Sequence, residues 1–97
     1  MKVVLEKAAL QELYAASNYF ADQSLLTAEK FISDFEHCIQ LITEHPFAWP
    51  EKHKGFRKCL FKKFRYGLIY KIEEQQIVVV AVMSDYRKPD YWLERIT

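Results

Sequence analysis

The sequence predicts an α+β fold, with an N-terminal helical hairpin packed on one face of a small, mainly antiparallel, twisted sheet. Two long segments in the first half carry apolar residues at helical spacing and are joined by a turn of about two residues. After Trp49-Pro50 the period changes, and the second half becomes β-branched and alternating. Between its last two apolar runs, Glu73-Glu74-Gln75-Gln76 is short and polar enough for a hairpin turn.

Taken in order, Val3 to Leu5 suffices for a short first strand. From Ala8 to Asp22, Ala9, Leu13, Ala16 and Phe20 form the apolar stripe of an amphipathic helix, with Gln11, Glu12 and Asn18 elsewhere on the wheel. Gln23-Ser24 marks a turn, and Ser24 or Thr27 caps a second helix. That helix carries Ala28, Phe31, Ile32, Phe35, Cys38, Ile39 and Ile42 on one face. It ends at His45-Pro46, because the residue before a proline is pushed out of the helical region. The stretch from His45 to Pro50 is a loop that Phe47 and Trp49 anchor against the sheet. Three strands follow, over Arg57–Phe61, Tyr66–Ile72 and Ile77–Met83. The last is apolar on both faces, so it belongs inside the sheet. The face away from the helices is expected to be an open, concave surface.

At 97 residues the chain fits one domain, residues 1–97, with no linker or repeat. Apolar content of 51% and aromatic content of 15% exclude disorder over most of it. The longest apolar run, Ile77 to Met83, falls far short of the roughly 20 residues that span a bilayer. Glu6 comes too early for a secretory leader. No membrane association is expected, and the expected location is cytoplasmic. Cys38 and Cys59 lie far apart inside apolar segments and read as buried free thiols. Neither has zinc spacing with His37, His45 or His53, so neither a metal nor a cofactor is expected.

Charge is unevenly distributed. Residues 1–51 carry a net −5, residues 52–71 carry eight cations and no acid, and residues 72–97 carry −2. The central block suits an anionic partner or a phosphate, and serves equally as a solvated strand face. A second group follows the last strand, where Met83 opens into Ser84-Asp85-Tyr86-Arg87-Lys88-Pro89-Asp90-Tyr91-Trp92. Arg57, Arg65 and Arg87, with Tyr91 and Trp92, are the candidate binding residues, expected to converge from neighbouring strands. Each has a plainer reading. Arg57 can be an exposed strand cation, Arg65 a cation–π partner of Tyr66, Arg87 an ion-pair partner of Asp85 or Asp90, and Tyr91-Trp92 a lid on the core.

The helical hairpin, then Pro46 with Trp49-Pro50, Arg57, Phe64-Arg65-Tyr66, Tyr70, Ala81-Val82, Arg87-Lys88-Pro89 and Tyr91-Trp92 together resemble the RelE/ParE toxin superfamily, most closely its ParE-like branch. The resemblance spans nearly the whole chain. It implies a growth-inhibiting toxin of a type II toxin–antitoxin system, of the kind associated with plasmid stabilization. A cognate antitoxin would silence it by lying across its helices and sheet. Two positions depart from the pattern: Phe64-Arg65-Tyr66 stands where Phe-Pro-Tyr is common, and Ser84 stands where many members have histidine.

Two activities are implied. RelE-like members cut messenger RNA on the ribosome, using its 2′-hydroxyl as nucleophile. This chain would then need Arg57, Arg65 and Arg87 at the phosphate and Tyr91 or Tyr86 as acid, with the base left among Lys52, Lys54 and Glu51. ParE-like members bind DNA gyrase, which requires an anchored surface and no acid–base pair. The same arginines and aromatics then serve as interface anchors. The leading expectation is the gyrase-binding toxin, ahead of the ribosome-dependent endoribonuclease and of a non-toxic member that retains only antitoxin binding.

Overall fold

The computed structural model describes residues 1–96. The chain runs β1 (Lys2–Leu5), α1 (Lys7–Gln23), α2 (Leu25–Glu44), β2 (Glu51–His53), β3 (Phe56–Leu60), β4 (Tyr66–Glu73) and β5 (Gln76–Ser84), then a 3₁₀ helix over Tyr91–Arg95. The sheet order is β1-β5-β4-β3-β2. Among the described residues, only β1–β5 is a parallel pair. The predicted fold class is therefore the observed one, and β5 lies inside the sheet between β1 and β4.

Between the helices Ser24 is the only linking residue. Its backbone N–H donates the last bond of α1 to the Phe20 carbonyl at 2.9 Å, and its hydroxyl accepts from Thr27 N–H at 3.4 Å as the cap of α2. Ala9, Leu13, Ala16, Ala28, Phe31, Cys38 and Ile42 are buried, as the helical stripes require. All of these but Ala28 form one core with Cys59, Phe61, Leu68, Tyr70, Ile77, Val79 and Val82 from the sheet. Cys38 and Cys59 are buried free thiols with sulfurs 3.3 Å apart. Their shared hydrogen bond, followed by burial, holds the Cys38 thiol above the ordinary range.

One buried residue on the apolar face of α2 is charged. Asp34, 5% exposed, accepts the N–H groups of Lys63 and Phe64 at 2.7 and 2.9 Å. It thereby replaces strand partners for the connector between β3 and β4.

Three expectations need correction. Glu51–His53 is a strand rather than part of a loop, because Glu51 and His53 pair with Arg57 and Phe56 across the glycine turn at Gly55, whose φ is 81°. The third strand stops at Leu60, and Phe61 turns into the aromatic core with Phe31 and Tyr66. The face away from the helices is also not open. Trp92, 2% exposed, packs on Phe56 at 5.1 Å within a second cluster of Ile69, Val78, Val80, Ala81 and Met83. A register shift in β5 adds a residue to this second layer. Ile69 pairs with Ala81 but Tyr70 with Val79, so the extra residue Val80 shares a face with Ala81.

Candidate functional site at the end of the last strand

β1 is shorter than β5, and the mismatch creates the site. The parallel pairing stops at Leu5–Val79, and Glu6 N–H closes it on the Val79 carbonyl. Beyond that point α1 takes the place of the missing strand. Glu12 Oε1 accepts the Val82 N–H at 3.1 Å, so a helix carboxylate satisfies a strand donor that would otherwise be unpaired.

That carboxylate is also the centre of a cation–aromatic cluster. The Tyr91 hydroxyl donates to Glu12 Oε2, Arg95 donates to Oε1 at 3.3 Å, and Arg87 stands 3.9 Å from Oε2. Both guanidinium groups lie against the Tyr91 ring, Arg87 at 3.8 Å and Arg95 at 5.2 Å from its centroid. Burial, then the bond to Glu12, pushes the Tyr91 phenol above the ordinary tyrosine range. Its proton is therefore held tightly. The Glu12 side chain is 18% exposed, whereas that of Arg87 is 55% exposed. Arg87 thus presents a fixed cation at the mouth of a cleft of about 240 Å³, lined also by Ala15, Tyr19, Tyr66 and Ser84.

The expected convergence of Arg57, Arg65 and Arg87 does not occur. Arg57 pairs across the strands with Tyr70, whereas Tyr66 is the β4 residue opposite Ser84. Four residues of strand separate those positions, about 13 Å at 3.3 Å per residue. Arg57 instead donates to the Trp49 carbonyl, pairs with Glu51 at 3.9 Å and lies 5.4 Å from the Phe47 ring. It anchors the loop after α2, as does Tyr70, whose hydroxyl donates to the Pro46 carbonyl at 2.7 Å. Arg65 sits in the connector before β4 rather than in a strand. It pairs with Asp85 at 3.7 Å and lies against Tyr86 at 5.9 Å, next to the cleft but outside its lining.

Trp92, expected among the binding residues, is instead a core residue whose indole N–H donates to the Pro89 carbonyl at 3.1 Å. Burial of so large a ring outweighs any gain from presenting it to a partner.

Of the residues considered as a base, Glu51 is paired with Arg57, and Lys52 lines a groove with Lys58 and Trp92 on the other side of the sheet. None of Glu51, Lys52 and Lys54 lines the cleft. Ser84 does, and its hydroxyl accepts Tyr86 N–H at 3.0 Å, holding the turn that aims Arg87. Among the described residues lining the cleft, Glu12 is the one carboxylate, and it is already engaged by Val82, Tyr91 and Arg95.

Glu12 is the site residue that the helical pattern hid, because periodicity placed it on the polar side of α1. The available signal was the brevity of β1, which leaves donors of β5 in need of a partner.

A two-helix hairpin on a mixed five-stranded sheet defines the class as an α+β fold of RelE/ParE type. More particularly, the chain belongs to the ParE toxin family: the family model described as ParE toxin of type II toxin–antitoxin system, parDE, matches residues 3–89. Among solved structures it is similar to a chain of the chromosomal ParDE toxin–antitoxin system from P. aeruginosa. The TM-score is 0.64 at 12% identity, covering 87% of this chain and 95% of that one, a likeness of fold. No curated protein sequence matches. The family match includes Glu12 and Arg87 and ends before Tyr91. No helix among the described residues is long and apolar enough to cross a membrane.

Proposed function

We propose that this ParE-family toxin acts by binding DNA gyrase in the cytoplasm, and that a cognate antitoxin neutralises it. The observation that carries the reading is Arg87, half-exposed yet held at 3.8 Å over Tyr91 and 3.9 Å from Glu12. An arginine whose rotamer is fixed before contact loses little freedom on binding, which is what an interface anchor requires. Nuclease chemistry would instead need a free base beside the attacking hydroxyl, and the carboxylate at this position is occupied. For the antitoxin, Tyr14, Tyr19, Leu25 and Leu26 are exposed on the helical hairpin and offer the apolar surface that a partner segment would cover.

Induced expression in a bacterial host, following DNA breakage and protein synthesis separately, tests the target. DNA breaks are expected first, with translation continuing. Arg87→Ala is expected to lower toxicity by roughly 100-fold, the scale of an interface hot spot, while leaving antitoxin binding largely intact. Early arrest of translation with messenger RNA cut at codons would overturn the gyrase reading in favour of the ribosome. A wild-type chain that binds antitoxin but leaves growth unaffected would mark it as a non-toxic member.

A further inference from the structure

We infer that Glu12 makes this cleft refuse phosphate, because its carboxylate already fills the anion position that Arg87, Arg95 and Tyr91 create. Two guanidinium groups and a phenol hydroxyl converging on one point are the donor set that recognises a phosphate oxygen. Here that point is taken by Glu12 Oε2, which receives the Tyr91 hydroxyl and faces Arg87 at 3.9 Å. Arg95 donates to Oε1 at 3.3 Å.

Nor is the carboxylate free to swing aside for an incoming anion. Its Oε1 also accepts the Val82 N–H at 3.1 Å, inside the core of the fold, and releasing that bond would leave a strand donor unpaired. A phosphodiester entering the cleft would meet a fixed negative charge at contact distance and would have to break a backbone bond to remove it. The site therefore combines the cations of an anion site with its own resident anion. This accounts for a cleft that bears an arginine yet is unsuited to holding a nucleic acid backbone.

The inference deepens the binding reading but does not depend on the gyrase target, since it concerns the free protein. A failed gyrase assay and a failed phosphate titration are separate results.

Glu12→Gln is the decisive substitution. Its carbonyl oxygen keeps the Val82 N–H and its amide NH2 takes the Oε2 position, donating to the Tyr91 hydroxyl oxygen once that hydroxyl rotates, so the fold is expected to persist while the charge is lost. The probe is inorganic phosphate at constant ionic strength, followed by ¹H–¹⁵N NMR at the Val82 amide and the Arg87 Nε–H. Wild-type protein is expected to show no saturable shift at Arg87. The Glu12→Gln protein is expected to bind at least about tenfold more tightly than wild type, given the unit charge removed at contact distance and the screening by salt. Adding Arg87→Ala to Glu12→Gln is expected to abolish that binding.

Tyr91→Phe, which removes the hydroxyl but keeps the carboxylate charged, is expected to leave the refusal intact. Saturable phosphate binding at Arg87 in wild-type protein overturns the inference without any variant. Equal affinities of wild type and Glu12→Gln, or phosphate binding by Tyr91→Phe, overturn it as well.

Discussion

Arg57 and Arg87 are the same residue type in the same fold, and both are engaged by an acid and an aromatic ring, yet their surroundings give them different roles. Arg57 points inward at the end of the sheet near the loop after α2, with its side chain 18% exposed, and donates to the Trp49 carbonyl. Arg87 stands at the other end, 55% exposed, with its charge partner Glu12 more buried than itself. At the first site the arginine serves the backbone. At the second the buried carboxylate serves the backbone, through Val82, and the arginine is left presented to solvent. The lesson is that the member of an ion pair tied to the main chain is the structural one, and its mate is available for a partner.

The largest expected effect on stability follows from that difference. Arg57→Ala leaves the Trp49 carbonyl unpaired in a half-buried setting and removes the cation from Phe47, so a loss of about 2 kcal/mol is expected. Arg87→Ala removes only a partly exposed ion pair and a ring contact, and less than about 1 kcal/mol is expected. Denaturant unfolding of both variants checks the pair. Equal losses would break the contrast between the two ends, and a larger loss for Arg87→Ala would invert it.

A pH measurement sharpens the Arg57 end. Burial, partly offset by the charge of Arg57, raises the Tyr70 phenol from 10.0 to about 12. Because the folded-state value lies above the unfolded one, the stabilisation is fully present below pH 10 and is lost as pH rises through about 12. Tyr70→Phe loses the bond to the Pro46 carbonyl and is expected to be less stable than wild type at pH 8. The difference between the two is expected to stay constant up to about pH 10 and to shrink above it. A gap that stays constant through pH 12 would show that Tyr70 does not report the packing of this loop.

The contrast between the two ends also separates what the sequence could convey from what it could not. Helix stripes such as Ala9-Leu13-Ala16 and the apolar run of β5 follow from periodicity, because burial of one face dictates residue type at fixed spacing. Arg87 was legible because it follows such a strand directly. Glu12 and Asp34 were not. Each lies on a helix but acts on the backbone of a segment far along the chain, Val82 in one case and Lys63-Phe64 in the other. Helical periodicity cannot register a main-chain donor left over by a short strand or an irregular connector. Arg57 was legible as a cation but not as an inward-facing one, since its acceptor is a carbonyl, which no side-chain pattern encodes. Trp92 was ambiguous for a related reason: a large aromatic near a polar loop fits either a lid or a platform, and only the uncovered face of β5 decided for the lid.

Arg65 supplies the smallest and most discriminating case, because it lies next to the cleft without the buried tie. Its side chain is 75% exposed, its ion pair with Asp85 spans 3.7 Å, and its contact with Tyr86 is to a ring that is itself 85% exposed. Solvent screens such a pair, so Arg65→Ala is expected to change stability by less than about 0.5 kcal/mol. The same exposure leaves Arg65 less restrained than Arg87, and the less restrained arginine loses more conformational freedom on docking. Toxicity of Arg65→Ala is therefore expected to fall by less than about tenfold, well short of the loss in Arg87→Ala. Titrating toxin expression in parallel for the two variants, at matched protein levels, gives the comparison directly. If Arg65→Ala and Arg87→Ala lose toxicity equally, anchoring by Glu12 and Tyr91 is not what sets Arg87 apart, and the target instead reads the whole cationic rim from Arg65 to Arg87.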